Sequence, residues 1–173
     1  MNQRIALTKK LLKNSLTELL QTRSIYQVSI RELCQNAGIN RSTFYKHYGS
    51  QYDLLAEMEQ DLLQNIETTL RLPDAYSENV IEQIMIYLEN KIDFVRLLFN
   101  SNVDPELPEK LFSLEPVRRL LGNLTTGMPE AESDYYYCFV LHGAYEMVRK
   151  WINQDERESP AWAASLFFKF IRP

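Results

Sequence analysis

The chain has 173 residues, 45% hydrophobic and 24% charged, enough for one good core or for two small helical units. No apolar run approaches the ~18–20 residues that cross a bilayer, and the N-terminal stretch lacks the apolar core of a signal peptide, so a cytoplasmic protein without a membrane partner is expected. The net charge of −4 hides a split: residues 1–52 hold eight basic residues against Glu18 and Glu32, a balance of +6, while residues 53–173 carry −10. A basic head on an acidic body is the pattern of a polyanion-binding module joined to a domain of another kind.

In chain order, nearly every segment predicts helix, so the expected fold class is all-α. Ile5, Leu12, Leu16, Leu19 and Leu20 recur at helical spacing and form one apolar face. Arg23 to Gln27 reads as a loop. Ser29 is a good N-cap for a short helix that turns Ile30, Leu33 and Cys34 inward, and Gly38 is free to adopt the left-handed conformation that ends it. Asn40 is placed to cap a second short helix, about Arg41 to Tyr48, which Gly49 stops. Ser50, with Asp53 three residues on, predicts a near capping box opening a helix that carries Leu54, Leu55, Met58, Leu62, Ile66 and Leu70. Leu72 to Tyr76 is the expected boundary, giving a head over 1–50, a connecting helix over 51–72 and a helical body over 73–173.

In the body, Ser77 caps one long predicted helix with Ile81, Ile84, Met85, Leu88, Ile92, Val95 and Phe99 on one side. Asn100 to Pro108 reads as a loop. Leu111 to Leu124 is helical, with Pro116 either kinking it or starting a second piece. Glu130 to Asn153 is the most apolar helix, and Pro160 opens a last helix to about Ile171.

Chemistry of the catalytic kind finds little support. Cys34 and Cys138 are too far apart for a zinc site or a disulfide scaffold. His47 and His142 are the only histidines, and neither has a metal-ligand neighbour at helical spacing. No glycine-rich phosphate loop or nucleophile elbow is present, so no catalytic residue, metal or cofactor is expected, and the protein is not expected to be an enzyme.

The informative stretch is Val28 to Leu55. Two short helices around a glycine-bearing turn form a helix-turn-helix, whose second helix enters the major groove of double-stranded DNA. That helix presents Arg41, Ser42, Thr43, Tyr45, Lys46 and His47, rich in hydrogen-bond donors, while Phe44 and Tyr48 face inward with Ile39.

These residues resemble the N-terminal domain of the TetR family of transcriptional regulators. The pattern runs Leu12, Leu16, Leu19, then Val28-Ser29-Ile30, Leu33, Ala37-Gly38-Ile39, Thr43-Phe44-Tyr45, His47-Tyr48 and Leu54-Leu55. Gly143 to Trp151, ending Val148-Arg149-Lys150-Trp151 ahead of Ser159-Pro160, resembles C-terminal domains in part of that family. The resemblance implies that Ser29 and Arg31 approach the DNA backbone and groove edge. It implies that Arg41, Ser42, Thr43, Lys46 and Tyr45 face bases and phosphates. Arg41 is the first choice for a guanine, since a guanidinium pairs with O6 and N7 together; Tyr45 and His47 suit phosphate oxygens. Gln51 stands where the family commonly has Lys, which predicts a salt dependence shallower by ~1 unit of slope per subunit.

Ten of the twenty aromatic residues lie between Tyr135 and Phe170. A helix apolar on two sides is buried on two sides, so a homodimer is expected, with a four-helix interface containing Tyr135, Phe139, Tyr145, Val148, Trp151, Ile152, Trp162, Leu166, Phe167 and Phe170. The family resemblance implies the same, and adds a small-molecule effector pocket whose proposed lining is Met85, Tyr87, Leu88, Phe94, Phe112, Tyr136 and His142. The expected function is a dimeric regulator, a repressor, on a palindromic operator, released by its effector. The competing reading is a helical co-regulator whose helix-turn-helix does not read DNA sequence.

Overall fold

The first 62 residues fold around α1 (Gln3–Leu20), α2 (Ile30–Ala37), α3 (Arg41–Phe44) and the first part of α4 (Gln51–Thr69). The computed structural model describes residues 3–72, 77–100 and 103–171. Leu12 and Leu16 of α1, Leu33 of α2, Phe44 of α3 and Leu54 of α4 are wholly buried, and they make the core of this unit. Each such side chain contributes about 2 kcal/mol of hydrophobic stabilisation. Ser15, buried among them, donates its hydroxyl to the Leu33 carbonyl at 3.0 Å, so α1 and α2 are pinned by a satisfied polar contact as well.

The local signals explain the elements. Ser29 caps α2 in a capping box with Glu32: the Glu32 amide donates to the Ser29 hydroxyl, and the Ser29 amide and hydroxyl both donate to the Glu32 carboxylate. Gly38, at φ 66°, ends the helix, and the Ile39 amide reaches back to the Cys34 carbonyl at 2.9 Å. Asp53 accepts from the amides of Gly49 and Ser50 at 2.9 and 3.0 Å, fixing the entry to α4. Two expectations need correction. Asn40 sits at the N-cap of α3 without a side-chain cap bond. The α-helix itself ends at Phe44 rather than Tyr48; tighter turns follow, with the amides of His47 and Tyr48 both donating to the Phe44 carbonyl, at 2.9 and 3.0 Å, and Phe44 and Tyr48 both stay buried.

Residues 63–173 form a second unit. It contains the end of α4, α5 (Glu78–Glu89), α6 (Ile92–Asn100), α7 (Leu107–Ser113), α8 (Glu115–Leu124), α9 (Glu130–Asn153) and α10 (Pro160–Ile171). Helix α10 packs on α5 and α9, and α6 packs on α9. The single long helix expected from Ser77 is two. It breaks at Asn90, whose amide closes the last turn of α5 on the Ile86 carbonyl, and α6 then turns Phe94, Val95, Leu98 and Phe99 inward on its own stripe. Pro116 begins a separate helix rather than kinking one, since Leu114 is extended at ψ 130° and Pro occupies the favoured first turn of α8. Pro108, which the sequence reads as the end of a loop, likewise lies in the first turn of α7. The expected boundary at Leu72 to Tyr76 falls mostly on residues 73–76, outside the described residues. Among the described residues there is no strand, and no helix is long and apolar enough to cross a membrane.

A candidate nucleic-acid interface and a cavity-bearing helical domain

The expected DNA-facing residues gather at the surface around α2 and α3. Ser29, Arg31, Arg41, Ser42, Tyr45 and Lys46 are exposed, while Thr43, His47 and Gln51 are half-buried. Arg31 and Arg41 border one open depression with Gln35, Gly38 and Asn40. The Arg41 guanidinium lies 3.5 Å from the Tyr45 hydroxyl one helical turn on, and this hydrogen bond raises its pKa further. Tyr45 rests edge-on against buried Phe44, which leaves its hydroxyl end outward. His47 lies edge-on to the Tyr48 ring.

Ser29 has a structural task of its own. Its cap partner Glu32 also accepts from Arg23 at 2.7 Å; that bond, then those from Ser29, hold the Glu32 carboxyl down at about 2. Arg23, in the loop, therefore pairs with α2 and gives up part of its charge to it.

The charge of the head differs from its sequence count. Glu57 and Asp61 of α4 belong to the same compact unit, and they take two of the three α1 lysines: Lys9 to Glu57 at 2.6 Å, Lys13 to Glu57 at 2.7 Å and to Asp61 at 2.6 Å. Counted to residue 62, the unit holds eight basic and six acidic residues, a balance of +2 rather than the +6 of residues 1–52. What remains for a polyanion is a local concentration on one face, not a strongly cationic body.

Two aromatic side chains were not singled out in the sequence. Tyr26, in the 3-10 turn Ile25–Gln27, is 82% exposed, and its ring centroid lies 5.9 Å from that of Tyr52, beside Gln51 at the start of α4. The signal was available: Tyr52 precedes the buried Leu54-Leu55 pair and falls off the apolar stripe of α4.

In the second unit the expected interface residues divide by environment. Tyr135, Phe139, Trp162 and Phe170 are exposed at 82%, 76%, 48% and 63%. Phe139, Phe167 and Phe170 line a shallow groove that also takes in Gly143 and Met147. Leu166 is half-buried. Trp151 and Ile152 require correction, since both are core of their own chain. The Trp151 indole donates to the Glu158 carbonyl at 2.8 Å, and Arg96 ties down the Ile152 carbonyl at 2.6 Å and that of Gln154 at 3.1 Å, closing the end of α9 over them. Tyr145 and Val148, both half-buried, line a cavity of this unit.

That cavity holds about 160 Å³. Of the residues expected to line a pocket, Met85, Leu88 and Phe112 do so. Tyr87, Phe94, Tyr136 and His142 are not on its wall: Phe94 is in the core, Lys91 sits over the Tyr87 ring, Tyr136 donates to the Ile171 carbonyl at 3.1 Å, and His142 is exposed with its ring edge-on to Phe112. Among the described residues no group of three or more His, Cys, Asp or Glu is arranged to hold a metal ion.

Comparison with known proteins bears on the whole chain. Residues 15–58 match the family described as bacterial regulatory proteins, tetR family, and residues 76–173 match one described as transcriptional regulator C-terminal region. The chain is 27% identical over 95 residues to the HTH-type dhaKLM operon transcriptional activator DhaS of Lactococcus lactis, spanning 54% of this chain and 49% of that protein. It is 19% identical over 158 residues to an uncharacterized HTH-type transcriptional regulator, YxbF, of Bacillus subtilis, spanning 86% of this chain and 40% of that protein. It thus spans less than half the length of these curated relatives. The fold resembles that of a TetR transcriptional regulator from Streptococcus agalactiae, with a TM-score of 0.69 at 22% identity, covering 99% of this chain and 97% of the other. It also resembles the FadR repressor of Thermus thermophilus in complex with lauroyl-CoA, with a TM-score of 0.57 at 13% identity over 94% and 92% of the two chains. The two family matches, on a helix-turn-helix head and an all-helical body, place the chain in the TetR family of transcriptional regulators, with the helix-turn-helix as its DNA-binding element.

Proposed function

We propose that the protein is a homodimeric repressor that binds a palindromic operator and leaves it when a small molecule occupies the second unit. The observation that carries this reading is that Arg31 and Arg41 border one open depression of the helix-turn-helix, with Ser42 and Lys46 exposed on the segment that follows Arg41. Arg41 reads a guanine, Arg31, Ser29, Tyr45, Lys46 and His47 hold phosphates, and Ser42, Thr43 and Gln51 complete the contacts. A four-residue recognition helix offers few base contacts, so two half-sites about one DNA turn apart supply the affinity. Exposed Tyr135, Phe139, Trp162 and Phe170 support a paired face built from α9 and α10. In that dimer the effector acts by binding more tightly to one spacing of the two heads than to the other.

The test is selection of bound sites from a random duplex pool, followed by titration of salt. A palindrome with steeply salt-dependent affinity is the expected outcome. One observation favours a second reading, a co-regulator that does not read sequence: the +2 balance of the head, with Gln51 in place of a cation, weakens its general attraction to DNA. Selection that enriches no sequence at low salt would establish that reading and remove the first.

A further inference from the structure

The cavity of the second unit combines a small volume with a lining of unusual uniformity. Apart from the Met85 thioether and the Tyr145 hydroxyl, every side chain on its wall is hydrocarbon, and none is charged among the described residues. Leu121 and Val140, with Ile171, form a buried cluster on one side. On the other, Tyr145 stacks face to face on Phe99 with centroids 4.8 Å apart, and Phe112 meets Tyr145 edge-on at 6.3 Å. Three aromatic rings thus lie together on the wall, surroundings in which an added ring packs well. Burial pushes the Tyr145 hydroxyl above its usual range, so the one polar group at hand stays neutral.

From this wall we infer that the effector is a small uncharged molecule, essentially hydrocarbon and about the size of one aromatic ring. The inference rests on the reading of the second unit as an effector domain. A volume of about 160 Å³ compares with the roughly 150 Å³ of an apolar protein cavity that takes a benzene-sized guest. An ionised carboxylate of the same size loses its hydration and finds no cation or cluster of donors on this wall. A long acyl chain exceeds the volume and would leave part of its length outside the cavity. Selection against charge comes from the lining itself.

Toluene, benzoate and lauroyl-CoA test this with the full chain. Toluene is expected to raise the thermal unfolding midpoint and to show saturable contact with methyl groups of the cavity wall by NMR. Benzoate should bind on the order of a hundredfold more weakly, and lauroyl-CoA should leave the midpoint unchanged. Ala144→Phe from α9 and Val117→Phe from α8 fill the same space from two walls. Either one that keeps a native circular dichroism spectrum should lose the toluene response. If both unfold, the three-ligand series alone decides. Benzoate or lauroyl-CoA binding as tightly as toluene overturns the proposal, and so does toluene stabilising a well-folded filled variant as it does the parent chain. The same compounds added to the operator complex separate the two readings. A charged or long compound that releases DNA while toluene does not bind overturns the ligand class and leaves effector control standing. Toluene that binds the cavity without changing operator affinity does the reverse.

Discussion

The Tyr48 hydroxyl donates to the Glu57 carboxylate across 3.1 Å, joining the last residue of the recognition segment to the second turn of α4. Glu57 is also the acceptor for Lys9 and Lys13 of α1, and the Lys9 ammonium lies 5.4 Å from the Tyr48 ring centroid. Three elements thus meet at one carboxylate. This group ties the recognition segment to α1 and α4, although Arg41, the residue proposed to read a base, lies on neither helix.

Glu57 gives the head a defined acid sensitivity. Partial burial opposes its ionisation, but hydrogen bonds from Lys13 and Lys9 outweigh that and hold it at about 2, against an ordinary value of 4.5. Its folded value is depressed, so its stabilisation is complete above about pH 5 and is lost as pH falls from 4.5 toward 2. Glu57→Gln is expected to cost about 1 kcal/mol at pH 7 and to flatten the acid limb of the stability curve, measured by urea unfolding at several pH values. An unchanged acid limb would remove the network from this role.

Arg41→Ala is expected to relax sequence choice at one base position per half-site, by ~1–3 kcal/mol, in competition binding against single-base operator variants. Lys46→Ala should weaken all sequences alike and lower the salt slope by about 1 per subunit. Equal losses on every sequence for Arg41→Ala would reassign it to the backbone.

Gln51→Lys restores a cation at the start of α4. The slope of log affinity against log salt should steepen by about 0.9 per subunit, with sequence preference unchanged. A constant slope would mean that position 51 lies away from phosphate.

Ser29 can be divided between its two tasks. Ser29→Ala removes the cap of α2 and should cost about 1 kcal/mol of stability, while Ser29→Gly costs only a few tenths. If the hydroxyl also holds a phosphate, both variants lose similar DNA affinity despite their different stabilities. Affinity that follows stability alone would leave Ser29 as a cap.

Phe139→Glu and Trp151→Ala separate pairing from folding. The first places a charge in the exposed groove and should give a folded monomer by sedimentation at micromolar concentration. The second opens a core site, 3% exposed, and should cost about 3–5 kcal/mol of stability. Dimers that survive Phe139→Glu would move the interface elsewhere.

Helix existence was legible residue by residue because the stop and start signals are local. Ser29, Gly38, Asp53 and Ser77 each act within a few residues, and each makes or permits the bond its chemistry predicts. What was not legible depends on contacts far along the chain. The lysine partners of Glu57 and Asp61 lie 44 to 48 residues away, so a running charge count gave them to different domains. The break at Asn90 and the early end of α3 carry no glycine or proline to announce them. On α9, apolar residues run around most of the helix, and periodicity alone does not say which of Tyr135, Tyr145 or Trp151 faces outward.

The pairing of Lys9 and Lys13 also governs how this protein finds DNA. At physiological ionic strength a charge is felt for about 8 Å. Beyond that range a head of +2 on a chain of −4 exerts little pull on a phosphate backbone. Attraction begins only when Arg31, Arg41 and Lys46 are almost in contact. Under the proposed reading, loose residence along arbitrary sequence is expected to be brief and sliding tracks short, so that occupancy of an operator would follow three-dimensional collisions and the lifetime of a correctly seated complex.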